Sequence, residues 1–370
     1  MTRLRQLAAA TAIASASFTG GVALAQELEF PDYYPETYTD MVEASRGEGG
    51  VVVYSNMAEN NWGPVVEGFE AKFPWIDVQT LDLGSGNVHS RWEAEAGSNS
   101  RSADLLVSGA NDRWADYGIN GRMMAYDSPE FDHLPDFAKP YEGVSVLSTD
   151  PLVIVYNAAI LSEDQRPTGF SSLVELAKAD PSTFDGRLTT YDAARNAFGL
   201  AAWYYVLQEK GEEGWEQLSS IGPMIRGETS GGAMNEKITT GEYVAGYNIS
   251  GITIFPRLDQ AGGEILGFAF PDDGTPLMMR GMGIPENVAN PNSAKLFFDY
   301  LLSQEGQTLL GKGGVVPYRD DVPADEVRYT YQEIVDEVGE ESIIRVGFDE
   351  GLIDDAAPFA QKFTEALSGN

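Results

Sequence analysis

The chain has 370 residues, 43% hydrophobic and 11% aromatic, which is enough apolar material for more than one packed core and argues against disorder of the whole. Its 57 acids against 24 basic residues leave a formal net charge of −33, a surface that repels phosphate backbones and anionic bilayers, so nucleic-acid and lipid-surface roles are disfavoured. No cysteine is present, which rules out disulfides and a lipid-modified cysteine.

The chain opens with Arg3 and Arg5, small apolar residues from Leu7 to Val22, and Ala23-Leu24-Ala25, the pattern of an export signal cleaved after Ala25. The run is too short and too rich in small polar residues for a membrane anchor, and no later stretch is long and apolar enough to span a bilayer. Residues 26–46 read as an N-terminal arm. The pattern then predicts a strand at Val51–Tyr54, a helix at Trp62–Phe73 and a strand at Ile76–Leu81. A turn at Gly84-Ser85-Gly86-Asn87, a helix at Val88–Ala96 and a strand at Ala103–Ser108 follow. This alternation predicts a parallel sheet covered by helices. Pro151–Asn157 reads as a strand buried on both faces, then Phe170–Ala179 as a helix and Arg187–Tyr191 as a strand. Helices are expected from about Ala194 to Lys210, at Glu213–Ile221 and at Met234–Thr240, and a strand at Tyr243–Asn248. Pro256–Ala261 is expected helical, Glu264–Phe270 and Leu277–Ile284 extended, and Ser293–Leu310 one periodic helix. The acidic tail from Asp320 is expected to be partly helical and to pack on the outside.

Three small polar turns fall at the ends of strands in the first half: Ser55-Asn56-Met57, Ser85-Gly86-Asn87 and Ser108-Gly109. Such turns at helix starts expose backbone N–H groups that favour an anion, although Ser and Asn there also serve as plain helix caps. In the second half, Asp192, Arg195 and Asn196 open a helix. Arg195 is a candidate for bidentate anion binding, with an ion pair to Asp192 as the alternative. Thr229 and Ser230, in a glycine-rich loop before another helix, have the donor-rich character of an anion nest.

The order of VVVYSN, GSGN, SADLLVSG, PLVIVYNAAIL, GEYVAGYN, GMGIPENVANPNSAKLFFDYLLSQEGQ and GGVVPYRDDV resembles the type II periplasmic solute-binding proteins, and within them the ferric-ion, thiamine, phosphonate and sugar-phosphate receptors. The resemblance covers about Val51 to Val322. It implies an α/β fold of two lobes, each a mainly parallel sheet flanked by helices, joined by a hinge of crossing strands. Lobe 1 would comprise 47–150 and 272–318, lobe 2 would comprise 151–271, and 319–370 would pack on a lobe. It further implies a periplasmic, monomeric receptor that hands a small solute to an ABC permease, with ligand contacts at Asn248 and Ser250.

The tyrosine pair that ferric receptors carry after the GEYVAGYN strand is missing, since that stretch reads Asn248-Ile249-Ser250-Gly251-Ile252-Thr253. Tyr204-Tyr205 sits mid-helix beside Trp203 and reads as packing. An organic anion, phosphorylated or carboxylated, is therefore the expected ligand, with no metal and no cofactor. Ferric ion held by Tyr54, Tyr191 or Tyr247 is the alternative. A secreted carboxylate-based hydrolase is a remote third, because the only histidines, His89 and His133, form no triad or multi-histidine site and the scattered acids mark no pair. His89 is expected on the surface or on the rim of the site.

Overall fold

The computed structural model describes residues 28–98 and 101–369, so the expected export signal and its cleavage point lie outside the described residues. Residues 33–370 form one compact unit. The described part of the other unit, residues 28–32, has no regular structure.

The chain runs α1 (Tyr38–Ser45), β1 (Val51–Ser55), α2 (Glu59–Lys72), β2 (Val78–Asp82), α3 (Ser85–Ala96), β3 (Leu105–Ser108) and α4 (Asn111–Asn120). Then come β4 (Ser145–Asn157), α5 (Phe170–Ala179), α6 (Pro181–Phe184), β5 (Leu188–Tyr191), α7 (Ala197–Ile221), β6 (Ile225–Glu228) and α8 (Gly231–Thr239). The rest is β7 (Ala245–Ser250), α9 (Gly251–Leu258), β8 (Leu266–Ala269), β9 (Thr275–Gly283), α10 (Pro291–Leu302), α11 (Gln304–Lys312), α12 (Tyr331–Val338), β10 (Ile343–Val346) and α13 (Gly351–Leu367).

The strands lie in the order β2-β1-β3-β9-β4-β7-β5-β6. β1 is parallel to β2 and β3, and β5 is parallel to β6 and β7. Two such parallel groups are joined by antiparallel crossing strands. β4 pairs with β9 through residues 145–151 and then with β7 through residues 152–156. Aromatic-rich cores fill each side: Trp92, Trp114 and Tyr117 under β1 and β3, and Phe170, Trp203, Tyr247 and Phe363 around β5 and β7.

Several expected boundaries move. β4 begins six residues before Pro151, because Ser145, Ser148, Thr149 and Asp150 are polar yet buried, with Asp150 neutralised by a partner strand. The expected break near Lys210 is present as Gly211 at φ 59°, a left-handed turn inside α7 that glycine adopts without strain. Ser293–Leu310 is two helices, not one. Ser303 leaves helical geometry and its Oγ accepts the Gly306 N–H, and a side chain at Gly306 would collide with the Tyr300 carbonyl at 1.7 Å. The helix expected at Pro256–Ala261 instead springs directly from β7 at Gly251. The tail does more than cover a surface: β10 pairs with β9, and Phe363 of α13 is fully buried against Trp203. Among the described residues no helix is long and apolar enough to cross a membrane.

Candidate functional site

A cavity of about 520 Å³ opens where the two parallel groups of strands face each other. Its wall contains the beginnings of five helices: α2 (Ala58, Asn60, Asn61), α3 (Gly84, Ser85), α7 (Asn196, Phe198), α8 (Ser230, Gly231, Gly232) and α9 (Ser250, Ile252, Thr253). Each helix follows a strand of the sheet, so the strand ends deliver the helix starts to one place. The first N–H groups of a helix lack intrahelical acceptors and carry partial positive charge. Some of these starts are already capped. The Asn196 side chain accepts from Gly199 N at 2.8 Å, and Ser230 accepts from Ala233 N at 3.4 Å. The starts of α2 and α3 have no side-chain cap, while at the start of α9 the Ile252 N–H donates to Asp150 Oδ1 at 3.4 Å.

Two arginines reach the cavity, one of them already neutralised. Arg280 of β9 is 1% exposed, with Nη1 donating to Asn56 Oδ1 at 2.5 Å and Nη2 to Asp150 Oδ2 at 2.7 Å. Its Nε has no partner among the described residues. Asp150 is fully buried and also accepts from the Ser250 hydroxyl at 2.5 Å. Burial pushes its carboxyl up, and the Arg280 guanidinium and the Ser250 hydroxyl pull it back. Arg257, near the end of α9, lines the cavity and forms no ion pair among the described residues. Asp82 stands on the wall at the end of β2. Tyr191 also lines the cavity. Burial raises its hydroxyl far above the usual tyrosine range, so it stays a neutral donor.

Of the residues singled out from sequence, Asn56, Met57, Ser85, Asn196, Thr229, Ser230 and Ser250 come together on this wall. The others do not line it. Ser55 Oγ accepts the Trp62 indole N–H at 3.0 Å, under the wall. Gly86 lies beside Ala197, and Asn87 Nδ2 turns back to the Leu83 carbonyl. Ser108 Oγ is taken by His89 Nε2 at 2.6 Å and by the Trp114 indole. Gly109 lets the Phe198 ring approach, since a Cβ there would sit 2.4 Å from it. Arg195 pairs with Asp192 at 2.6 Å and donates to the Gly227 carbonyl, adopting the ion-pair alternative. Asn248 is fully buried at φ 59°, and neither of its amide atoms has a partner among the described residues.

His89 was expected on the surface or rim and is instead fully buried between Trp114 and Tyr117. α3 turns its Val88, His89 and Trp92 face toward the sheet. Burial lowers the imidazole to about 3, so it is neutral. Of the tyrosines considered for iron, Tyr54 donates to Glu95 and Tyr247 is buried against Phe170 and Trp203, which leaves Tyr191 alone on the wall. Tyr204 is buried in α7 and donates to Asp355 of the tail. Among the described residues no cluster of His, Asp and Glu is arranged to hold a metal.

Sequence reading missed Arg280, Asp150 and Arg257. A signal existed for the first pair: a lone arginine inside the apolar stretch Leu277–Ile284, and a lone aspartate at the head of Pro151–Asn157, each need a buried counter-charge.

Comparison with known proteins places this arrangement in context. The family described as bacterial extracellular solute-binding protein matches residues 65–333. The substrate-binding protein of an ABC transporter from Agrobacterium tumefaciens superposes with a TM-score of 0.79 at 24% identity, over 86% of this chain and 94% of that one. The periplasmic binding protein AfuA from Actinobacillus pleuropneumoniae, with exogenous fructose-6-phosphate bound, gives 0.71 at 23% identity over 86% and 99%. Iron-bound HitA from Pseudomonas aeruginosa gives 0.67 at 17% identity over 85% and 99%. At these identities the likeness is one of fold, that of the two-lobed type II periplasmic binding proteins.

Proposed function

Because this chain belongs to the bacterial extracellular solute-binding proteins, we propose that it captures a small organic anion, phosphorylated or carboxylated, and hands it to an ABC permease. One observation carries the ligand class: in a chain of net charge −33, five helix starts and Arg257, a guanidinium without an ion pair among the described residues, converge on a single cavity. Partial positive charge from N–H groups and a guanidinium in a partly dry site favours an anion over a cation. Tyr191 as the single tyrosine on the wall, among the described residues, weighs against ferric ion. The bound solute would sit between lobes divided near residues 150 and 272, with β4 and β9 as the hinge. The receptor would work as an exported monomer released by cleavage after Ala25.

Differential scanning fluorimetry against organic phosphates and carboxylates tests the ligand. At a ligand concentration 100 times Kd the protein gains about 2.7 kcal/mol, an upward melting shift of several degrees. Silence from every anion, with a clear shift for ferric ion or an amine, overturns the reading. N-terminal sequencing of the exported protein checks the address, with Gln26 expected first.

A further inference from the structure

The cavity continues past its own rim. Across Asn60, Pro256 and Gln260, which belong to both spaces, it passes into a groove of about 480 Å³. The groove is bounded by Asp259, Gly311 to Gly314, Glu326 and Arg328. Gly313 and Gly314 let its floor pass close beneath α2 and α9, since a Cβ would meet the Asn61 carbonyl at 2.3 Å and the Pro256 ring at 2.6 Å.

Its chemistry differs from that of the main cavity. The charges are matched: Lys312 pairs with Glu326 at 2.7 Å, and Arg328 hydrogen-bonds to Asp259. No net charge is left to hold a second ionic group. The aromatic ring that borders it, Phe255, is 1% exposed and packed against Phe268 and Tyr329, so no face is free to stack on a base. The rim amides of Asn60 and Gln260 are exposed and bond to no other side chain among the described residues. Donors and acceptors in balance, without charge or an aromatic face, suit hydroxyl groups.

We infer that this groove is a second subsite, which takes a neutral polyhydroxyl extension, a glycosyl unit, attached to the anionic head held by the main cavity. The inference rests on the anion reading above. The preferred ligand is then a phosphorylated or carboxylated disaccharide-sized molecule, not a bare anion or a monosaccharide derivative.

Two probe pairs with fixed heads test it by calorimetry: glucose 6-phosphate against trehalose 6-phosphate, and gluconate against lactobionate. The longer member of at least one pair should bind about tenfold tighter than the shorter. Val327→Trp, which fills the groove at a position that does not line the main cavity, should erase that ratio while leaving the shorter member's affinity unchanged. Val327→Tyr should repeat the effect, with melting curves showing both variants folded. Equal or tighter binding of the shorter member in every pair that binds, or a ratio that survives both variants, overturns the extension alone. Silence from all four probes overturns the extension, and the anion reading falls only if the wider panel of organic phosphates and carboxylates is silent as well.

Discussion

Arg280 and Arg257 both face the cavity but are held differently, and this separates their roles. Arg280 is buried with Asp150, so removing it leaves a carboxylate without its counter-charge. Arg280→Met should cost about 3–5 kcal/mol of stability, read by denaturant unfolding, and Asp150→Asn in the same chain should restore most of it. Arg257 has no ion pair to lose. Arg257→Ala should leave the melting temperature unchanged and weaken anion binding roughly 10- to 100-fold, as expected for a hydrogen bond to a charged group. A stability loss in Arg257→Ala matching that of Arg280→Met would remove the distinction. The site was partly legible at this scale. Asn56, Ser85, Asn196 and Ser230 were readable because small polar residues at strand ends mark helix starts, and Ser250 through the family resemblance. Arg280 and Asp150 were not, because their partnership spans 130 residues and only tertiary pairing brings them together.

Among the elements, α1 has the most exposed weakness. Tyr38 of α1 and Tyr126 both donate to Asp299 of α10, at 3.0 and 2.6 Å. Burial, with the charge of nearby Glu130, raises the Asp299 carboxyl to about 7 against the hydrogen bonds of Ser128, Tyr126 and Tyr38. The Arg319 guanidinium pairs with Glu130 and Asp321 and not with Asp299. A carboxyl raised in the folded state favours folding while protonated, so its contribution is complete below the unfolded value near 4 and fades as pH rises through 7. The loss by pH 8 is on the order of 2–4 kcal/mol. Asp299→Asn should therefore raise the melting temperature at pH 8 and flatten its dependence between pH 5 and 8, and an unaltered profile would refute this. α1 itself was not legible, because Pro31, Pro35 and the tyrosines just before it read as an arm, and its order comes from docking on α10. Strongly apolar elements such as α5 fell where expected. β6 and α4 went unread: β6 is four residues long, and in α4 the helically spaced Trp114, Ala115 and Tyr117 are few among polar neighbours.

At the scale of the whole molecule, the two groups of strands already touch across the cavity. The Phe198 N–H of α7 donates to Ser85 Oγ of α3 at 3.1 Å, and Asn61 Nδ2 of α2 donates to the Ile252 carbonyl of α9 at 3.2 Å. The Phe198 ring fits against Gly109 only because that residue has no side chain. In the proposed receptor these contacts would be made in the closed form alone, and β4 and β9 would be the strands about which it opens. A bound solute can favour closure only by its differential affinity for the closed form. Gly109→Val should force Phe198 outward at an overpacking cost of about 1–3 kcal/mol. If the cost falls on the closed form alone, the free protein should scatter with a larger radius of gyration, and affinity should drop roughly 5- to 150-fold. Saturating ligand should restore the compact radius. If the radius and affinity of Gly109→Val match the parent while its unfolding free energy falls, then the Phe198 contact only packs the molecule, and closure must be sought at Asn61 instead.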